Sequence, residues 1–591
     1  MDKITYEVMR SALYAVAREM KVAMMRTAAS PIIHAGGDAS AAIFDANMSL
    51  VAQGNDIPTM LGSAVISTKQ SVEAIGRETL RPGDVILSND AYLGGGNHQP
   101  DVQLTRPVFL GDEIIAFVMT RGHWSDIGGQ SPGSFTPDTW DIFAEGVRIP
   151  PVFVYRNDEP VRDVIKLIVH NTRDPEARTL DINAQYAGTY IGEKRILELV
   201  AKYGSEALRD TMAQSLTYSE RLMRAQITEI PDGTYVGSDF IEPVGDGPLI
   251  PLKVAITVKG DEITFDYTGT AAQVTGGINC PLAVTCNSTW FAVKAITDLR
   301  IPINQGCYRP VNIIAPEGTL VNCSYPASVV SGNTETSPRI IDLLLRTLSD
   351  ALPNRVIAQS NCAACCGIFS GNDPVPERRK SMRRTYVSTI DVHAGGMGAR
   401  PDKDGVSAIR VLVGNAGSQP VELIEHNSPL TIEEWTLVTD TGGAGRWRGG
   451  CAARRTYRIG FDEATCTVIG ERGRVAPKGL FGGLPGSVFR GVIERDGVAP
   501  EVLAAKSRQA LVHAGDRVMI QPAGGGGYGD PLARPAESVH GDVLDGYVSE
   551  TSAYELYGVV LDGGALDVSS TEQRRRQLRD ASAALASAEQ A

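Results

Sequence analysis

Three features of the sequence predict a mixed α/β (α+β) protein, multi-domain, with mixed and antiparallel sheets and a β-rich C-terminal part. Apolar residues recur at helical spacing near the start and again over about 183–226. At Ile230-Pro231-Asp232-Gly233 the texture changes to strands broken by Gly/Pro turns. Beyond about 400 the chain is mostly β-like, with glycine pairs at 442–443, 449–450 and 482–483 and a run at 524–527. Glycine supplies 62 of the 591 residues, without a Gly-X-Y period and beside only 33 prolines, which excludes collagen-like and low-complexity chains. Three or four domains fit this length. The breaks divide the chain into 1–230, 231–400 and 401–562, followed by a polar helical or disordered tail over 563–591.

In order, residues 4–28 read as an amphipathic helix, because Val8, Met9, Leu13, Val16, Met20 and Met24 fall near i, i+3/i+4 spacing before Pro31. Strands at 41–44 and 48–52, joined by Asp45-Ala46-Asn47, form a tight hairpin. A helix over 60–77 leads through Arg81-Pro82-Gly83-Asp84 to a strand over 85–88. Two further strands, about 101–109 and 113–121, flank Gly111-Asp112. The middle region carries helices at 289–298 and 338–351.

Lys and Arg total 56 against 69 Asp and Glu, a net charge of −13. Such a chain repels a nucleic-acid backbone unless it carries one strong basic patch. Its densest runs, Arg378-Arg379-Lys380 with Arg383-Arg384, and Arg574-Arg575-Arg576, are short and lack aromatics, so they read as solvated surface. Nucleic acid is not an expected partner. No apolar run approaches the ~18 residues of a membrane span, and the first residues lack a signal-peptide core, so no membrane association is expected. The nine cysteines are odd in number and absent from the first 279 residues, unlike a disulfide framework. A cytoplasmic protein with reduced thiols is expected.

Several motifs match by letter only. Gly129-Gln130-Ser131-Pro132-Gly133 fits G-x-S-x-G, but the prolines deny it the helix that a nucleophile elbow needs. Cys362, Cys365 and Cys366 lack a second ligand pair at zinc-finger spacing. The 524–527 run is followed by neither Lys nor Ser/Thr and is no P-loop.

One constellation remains. His98-Gln99-Pro100-Asp101 opens one expected strand, and Arg121-Gly122-His123-Trp124-Ser125-Asp126 closes the next. A hairpin turning about Gly111-Asp112 pairs residues whose numbers sum to about 223, with a bulge able to shift this by one. Strands ~4.8 Å apart then bring His98, Asp101 and His123 to one sheet end. Two imidazoles and a carboxylate suit a catalytic divalent metal, with Asp38 available as a fourth ligand. The same residues equally suit a hydrogen-bonded core histidine and a strand-end cap. Gly94-Gly95-Gly96 would let the backbone fold tightly around an ion. Asp126 is a candidate partner for the second N–H of a ligating histidine. His170 is either a turn residue or a further catalytic candidate, and His34 lies near Asp38 in sequence.

At these residues the chain resembles the hydantoinase B family, which includes B subunits of ATP-dependent N-methylhydantoinase, the second half of 5-oxoprolinase, and subunits of acetone and acetophenone carboxylases and of lactamases. The resemblance runs from Asp2 to about Asp562. It rests on 37–45, on Asn89-Asp90 through Asp101, and on Gly122-His123-Trp124-Ser125-Asp126-Ile127-Gly128-Gly129. It continues through 304–310, Gly332-Asn333-Thr334-Glu335-Thr336-Ser337, 479–483 and 526–532. The resemblance implies that Asp38, His98, Asp101 and His123 bind one divalent ion, zinc or manganese by preference. Where relatives usually carry an aromatic after the first ligand Asp, this chain has Ala39, which implies a larger pocket beside the metal. It also implies a hetero-oligomer, A2B2 or larger, with a hydantoinase A-like subunit that binds ATP and phosphorylates the carbonyl. Water activated beside the metal would then open a hydantoin, 5-oxoproline or lactam ring. The alternatives are a component of an ATP-dependent ketone carboxylase and a non-catalytic scaffold.

Overall fold

The computed structural model describes residues 2–135, 137–382, 385–410, 412 and 414–589. Helix α1 (Lys3–Thr27) opens the chain, its first turn capped by Asp2 Oδ1, which accepts from the amides of Ile4 and Thr5. Met9, Leu13, Val16, Met20 and Met24 form its buried stripe, while Val8 is exposed. A single turn, α2 (Pro31–His34), precedes β1 (Ala39–Asp45), β2 (Leu50–Gln53), α3 (Pro58–Ile75) and β3 (Val85–Ser88). Then come β4 (Asp101–Leu110), β5 (Glu113–His123), β6 (Val152–Arg156) and β7 (Glu159–Pro160). These strands form one antiparallel sheet, ordered β2-β1-β5-β4-β3-β6-β7.

Three helices follow: α4 (Arg162–Val169), α5 (Pro175–Tyr203) and α6 (Ser205–Ile227). The helical region thus begins well before residue 183. Asp174 caps α5 and Pro175 takes its first position, a start signal that apolar periodicity alone does not register. Helix α5 lies close on α1, because a Cβ on Gly188 would stand 2.9 Å from the Met20 carbonyl oxygen and one on Gly192 2.6 Å from Met20 Sδ.

The middle region holds β8 (Gly233–Ile241), β9 (Ile250–Lys259), β10 (Glu262–Asp266), α7 (Leu282–Ala295), β11 (Val311–Ile314) and α8 (Ser337–Thr347). Its sheet is mixed, β10 pairing with β11 in parallel and with β9 antiparallel. Burial alternates along β9, whose inner residues join α7 and α8 in one apolar core. Helix α7 starts earlier than the expected 289, directly after Pro281. One π-helical turn, Gly332–Thr336, precedes α8.

The C-terminal part is β-rich as expected. One antiparallel sheet joins Tyr386–Val392, Cys366–Asn372, Glu463–Ile469 and Ala510–His513, and so unites strands from both sides of residue 400. A second joins Leu430–Leu437, Ala453–Ile459, Arg517–Gln521, Arg490–Glu494 and Glu501–Leu503. Glycine-rich segments lie backbone on backbone: the Gly443 amide donates to the Gly525 carbonyl, Gly525 to Gly450, and Gly450 to Met397. The tail forms a hairpin, Val560–Asp562 with Ala565–Asp567, and a helix, Val568–Glu589, with residues 590–591 outside the described ones.

The basic runs have structural duties. Arg378 pairs with Asp373, and Arg575 donates to the carbonyls of Tyr557 and Arg534; Arg383 and Arg384 lie outside the described residues. All nine cysteines are buried free thiols. Among the described residues, no helix is long and apolar enough to cross a membrane.

Candidate metal centre

The register of β4 and β5 builds the centre. Near the turn, Leu110 faces Glu113 and Phe109 faces Ile114; a bulge between Val108 and Phe109 then moves the pairing by one residue. Asp101 therefore lies directly opposite His123. On the other side of β5, Ala39 pairs with Gly122, and the His123 amide donates to the Asp38 carbonyl at 3.1 Å. The ends of three neighbouring strands thus carry Asp38, His123 and Asp101 in a row.

His98 arrives on the preceding loop, which is anchored by Asn89 and Asp90. Asn89 donates to the Gln99 carbonyl, and Asp90 Oδ1 accepts from the amides of Tyr92 and Leu93. Gly94, Gly95 and Gly96 let this loop pack closely: added Cβ atoms would meet Ser88, Gln70 and Asn89 within 2.8 Å. Ala39 belongs to the apolar core beside the site and is not among the residues lining the cavity.

His98, Asp101 and His123 are all buried, with one ligand atom of each within 4.8 Å of the others. His98 Nε2 stands 3.2 Å from Asp101 Oδ1, an ion pair when the ring is protonated; neither atom has another polar partner, and His123 Nδ1 has none. With His98 neutral, its Nε2, Asp101 Oδ1 and His123 Nδ1 are all buried acceptors with no donor between them, and a divalent cation is a partner that nitrogen and oxygen donors accept together. The donor set therefore fits a metal ion. His98 Nδ1 lies 2.8 Å from the Val330 carbonyl, which fixes Nδ1 as the protonated nitrogen and leaves the Nε2 lone pair toward the centre. Asn97 Nδ2 holds the other Asp101 oxygen at 2.9 Å. Phe135 meets the His98 ring edge-on, with centroids 5.5 Å apart.

Burial opposes charge on both rings. In His98 the Asp101 carboxylate outweighs it and the pKa is raised. In His123 burial prevails over the attraction of Asp38 and the pKa is lowered. Burial also works against the Asp101 carboxylate, but His98, His123 and Arg121 together hold its pKa well below the ordinary value.

Asp38 lines the same small cavity, with its carboxylate 3.6 Å from Arg410 Nη1. Three other sequence candidates are not brought there. The Asp126 oxygens accept from the amides of Gly128, Gly133 and Arg173 and from the Arg173 guanidinium, so this carboxylate braces a turn. His170 is exposed at the end of α4, and His34 lines a separate surface hollow with Val22 and Met25. Residues unforeseen from spacing complete the cavity: Asn333 and Thr334 on the π turn, Ile368, and Arg410. For the π turn the glycine-led run at 332–337 was a visible signal; Arg410 had none.

Glu335, on the same turn, has both carboxylate oxygens buried without partners. Burial, opposed by Lys506, pushes its carboxyl up to about 8 from 4.5. Between those values the folded chain keeps a proton that the unfolded chain has released, so this group makes stability fall as pH rises. Glu335→Gln is expected to match wild type at acid pH, to gain on wild type in melting temperature as pH rises from 4.5 to about 8, and to hold that advantage above it. Thermal unfolding across pH checks this, and parallel curves for the two proteins would refute it.

The chain belongs to the hydantoinase B/oxoprolinase family, whose profile matches residues 2–531. It is 33% identical to the beta chain of the caprolactamase of Pseudomonas jessenii, over 97% of this chain and 99% of that one. It is 32% identical to the B component of a putative D-/L-hydantoinase of Pseudomonas sp. strain NS671, over 98% of each. The crystal structure of the ATP-dependent caprolactamase from Pseudomonas jessenii superposes with a TM-score of 0.89, covering 98% of this chain and all of that one. A nucleotide-free acetone carboxylase structure shares the fold at 22% identity, with a TM-score of 0.90 over 99% of this chain and 84% of that one.

Proposed function

We propose that this chain is the metal-bearing B subunit of an ATP-dependent cyclic amide hydrolase. It would open hydantoin, 5-oxoproline or lactam rings with an ATP-binding, hydantoinase A-like subunit that phosphorylates the carbonyl. The observation that carries this reading is the convergence of buried His98, Asp101 and His123, with one ligand atom of each within 4.8 Å of the others. Near full-length similarity to components of two amidohydrolases supports the reaction class.

His98, Asp101 and His123 would hold the ion, with Asp38 as fourth ligand; zinc or manganese suits these donors. A bound divalent ion supplies Lewis acidity to an oxygen of substrate or water. The protein's own groups prepare that place. Val330 sets the His98 tautomer, Asn97 orients Asp101, and Phe135 with Ile368 gives an apolar wall that limits stray water. ATP chemistry is left to the partner, in an assembly of A2B2 or larger. A cytoplasmic location accords with nine buried free thiols.

The acetone carboxylase fold keeps a ketone carboxylase as the second reading. The complex with its A subunit, assayed on cyclic amides with ATP and labelled bicarbonate, separates the two. Ring opening that needs ATP and ignores bicarbonate is expected; label in the product acid would replace the hydrolase reading.

A further inference from the structure

Arg410 stands where two spaces meet. It lines the cavity of the metal centre and also a groove of about 970 Å³, with Gly414 the other shared residue. The groove has the size of a small-molecule site, whereas the cavity, about 30 Å³, holds an ion or a water and little else. Although the chain carries a net charge of −13, the groove is lined by Arg355, Arg400, Lys403 and Arg410 against Asp298 and Asp402. Arg355 is already paired with Glu229. The remaining cations still favour an anionic occupant, because a concave surface of one sign concentrates the opposite charge.

The Arg410 guanidinium is poorly satisfied. Its Nε and Nη1 are buried without hydrogen-bond partners. Among the described residues its ion pair is with Asp38, at 3.6 Å from Nη1, beyond hydrogen-bond length. A planar guanidinium matches the geometry of phosphoryl and carboxylate oxygens, and a buried one without such a partner bears a desolvation cost. Asp38 is also the carboxylate assigned above as fourth ligand. One side chain therefore faces two cations, and satisfying either weakens its hold on the other.

We propose that Arg410 is an oxyanion-binding residue at the junction of groove and metal cavity, and that an oxyanion seated on it releases Asp38 to the metal ion. Anion and metal then reinforce each other's binding. The groove would hold the body of a small substrate while its phosphoryl or carboxylate group meets Arg410, next to the centre. This inference rests on the metal reading given above.

The test measures manganese or zinc affinity of the full-length chain at clamped free metal, in chloride, inorganic phosphate or acetate. Coupling free energies between sites usually correspond to about 5–150-fold, and the effect is reciprocal. Phosphate or acetate is therefore expected to tighten metal binding about 5-fold or more over chloride, and the more effective of the two identifies the oxyanion class. Arg410→Gln is expected to bind metal in chloride at least as tightly as wild type and to lose the anion effect. Arg410→Lys, which keeps the charge without the fork, replaces it if the glutamine variant does not fold. Equal metal affinity of wild type in all three anions overturns the inference while leaving the metal reading standing, as does an undiminished anion effect in the variant. A wild-type chain that binds no metal in any buffer overturns both.

Discussion

Changing His98 to alanine is expected to remove tight metal binding and ATP-coupled turnover together, with the fold retained. His98 contributes one of three converging donors, and its remaining ring nitrogen is committed to the Val330 carbonyl. Groups that merely orient a ligand are commonly worth about 10–100-fold in metal affinity, so loss of the ligand itself is expected to cost at least about 100-fold. The fold should survive because Phe135, which meets the His98 ring, belongs to an apolar cluster that persists without it. Metal content by elemental analysis, on protein shown to be folded by circular dichroism, is the readout, since a damaged site can also unfold. Asp126→Asn makes the contrast: it weakens a turn and an ion pair with Arg173, so it should lower stability while metal content stays at the wild-type level. Wild-type metal content in His98→Ala would refute the assignment of this centre. Full turnover in folded, metal-free protein would instead leave the scaffold reading in place.

Gly525→Ala should be among the most damaging single changes in the chain. Its new Cβ would stand 2.0 Å from the Met397 carbonyl oxygen and 2.3 Å from the Met397 carbonyl carbon, both backbone atoms. Gly525 cannot slide away, because its amide donates to Gly450 and its carbonyl accepts from Gly443. Overpacking usually costs about 1–3 kcal/mol. With rigid backbone on several sides, the loss here is expected at about 3 kcal/mol or more, enough to reduce soluble yield. Gly541→Ala, inside the helix Ala536–Leu544 with nothing within 4 Å, should be neutral or stabilising by up to about 1 kcal/mol. Denaturant midpoints of the two variants, side by side, decide the matter. A Gly525→Ala protein that unfolds with wild type would mean that these segments are not packed as described.

The hairpin shows why part of the site was legible in sequence. Glycine and aspartate at 111–112 fix a turn, and residue-by-residue antiparallel pairing then determines what lies opposite what, to within a bulge. The bulge between Val108 and Phe109 supplied that one-residue shift and placed Asp101 against His123. Helix α1 was readable for the same local reason, its stripe being written at helical spacing. What escaped is non-local. Asp126 looked like a carboxylate partner for a ligating histidine, but the chain turns at Gly128 and Gly129 and spends the carboxylate on backbone amides and Arg173. The Val330 carbonyl and Arg410 come from other regions, and no spacing rule connects them to residue 98. The glycine excess was visible, but its use as side-chain-free backbone packing depends on segments far apart in sequence meeting in space.

His98 gets its hydrogen-bond acceptor from residue 330, and the cavity wall from residues 333, 334, 368 and 410. During synthesis the ligating side chains therefore leave the ribosome long before the groups that orient and enclose them. At about 5–20 residues per second, the interval from residue 123 to residue 330 is about 10–40 seconds. For that time the three side chains stand at the open end of an unfinished sheet. The centre is enclosed only once the chain has been made beyond residue 410, so any preference of the site for one ion over another belongs to the completed fold.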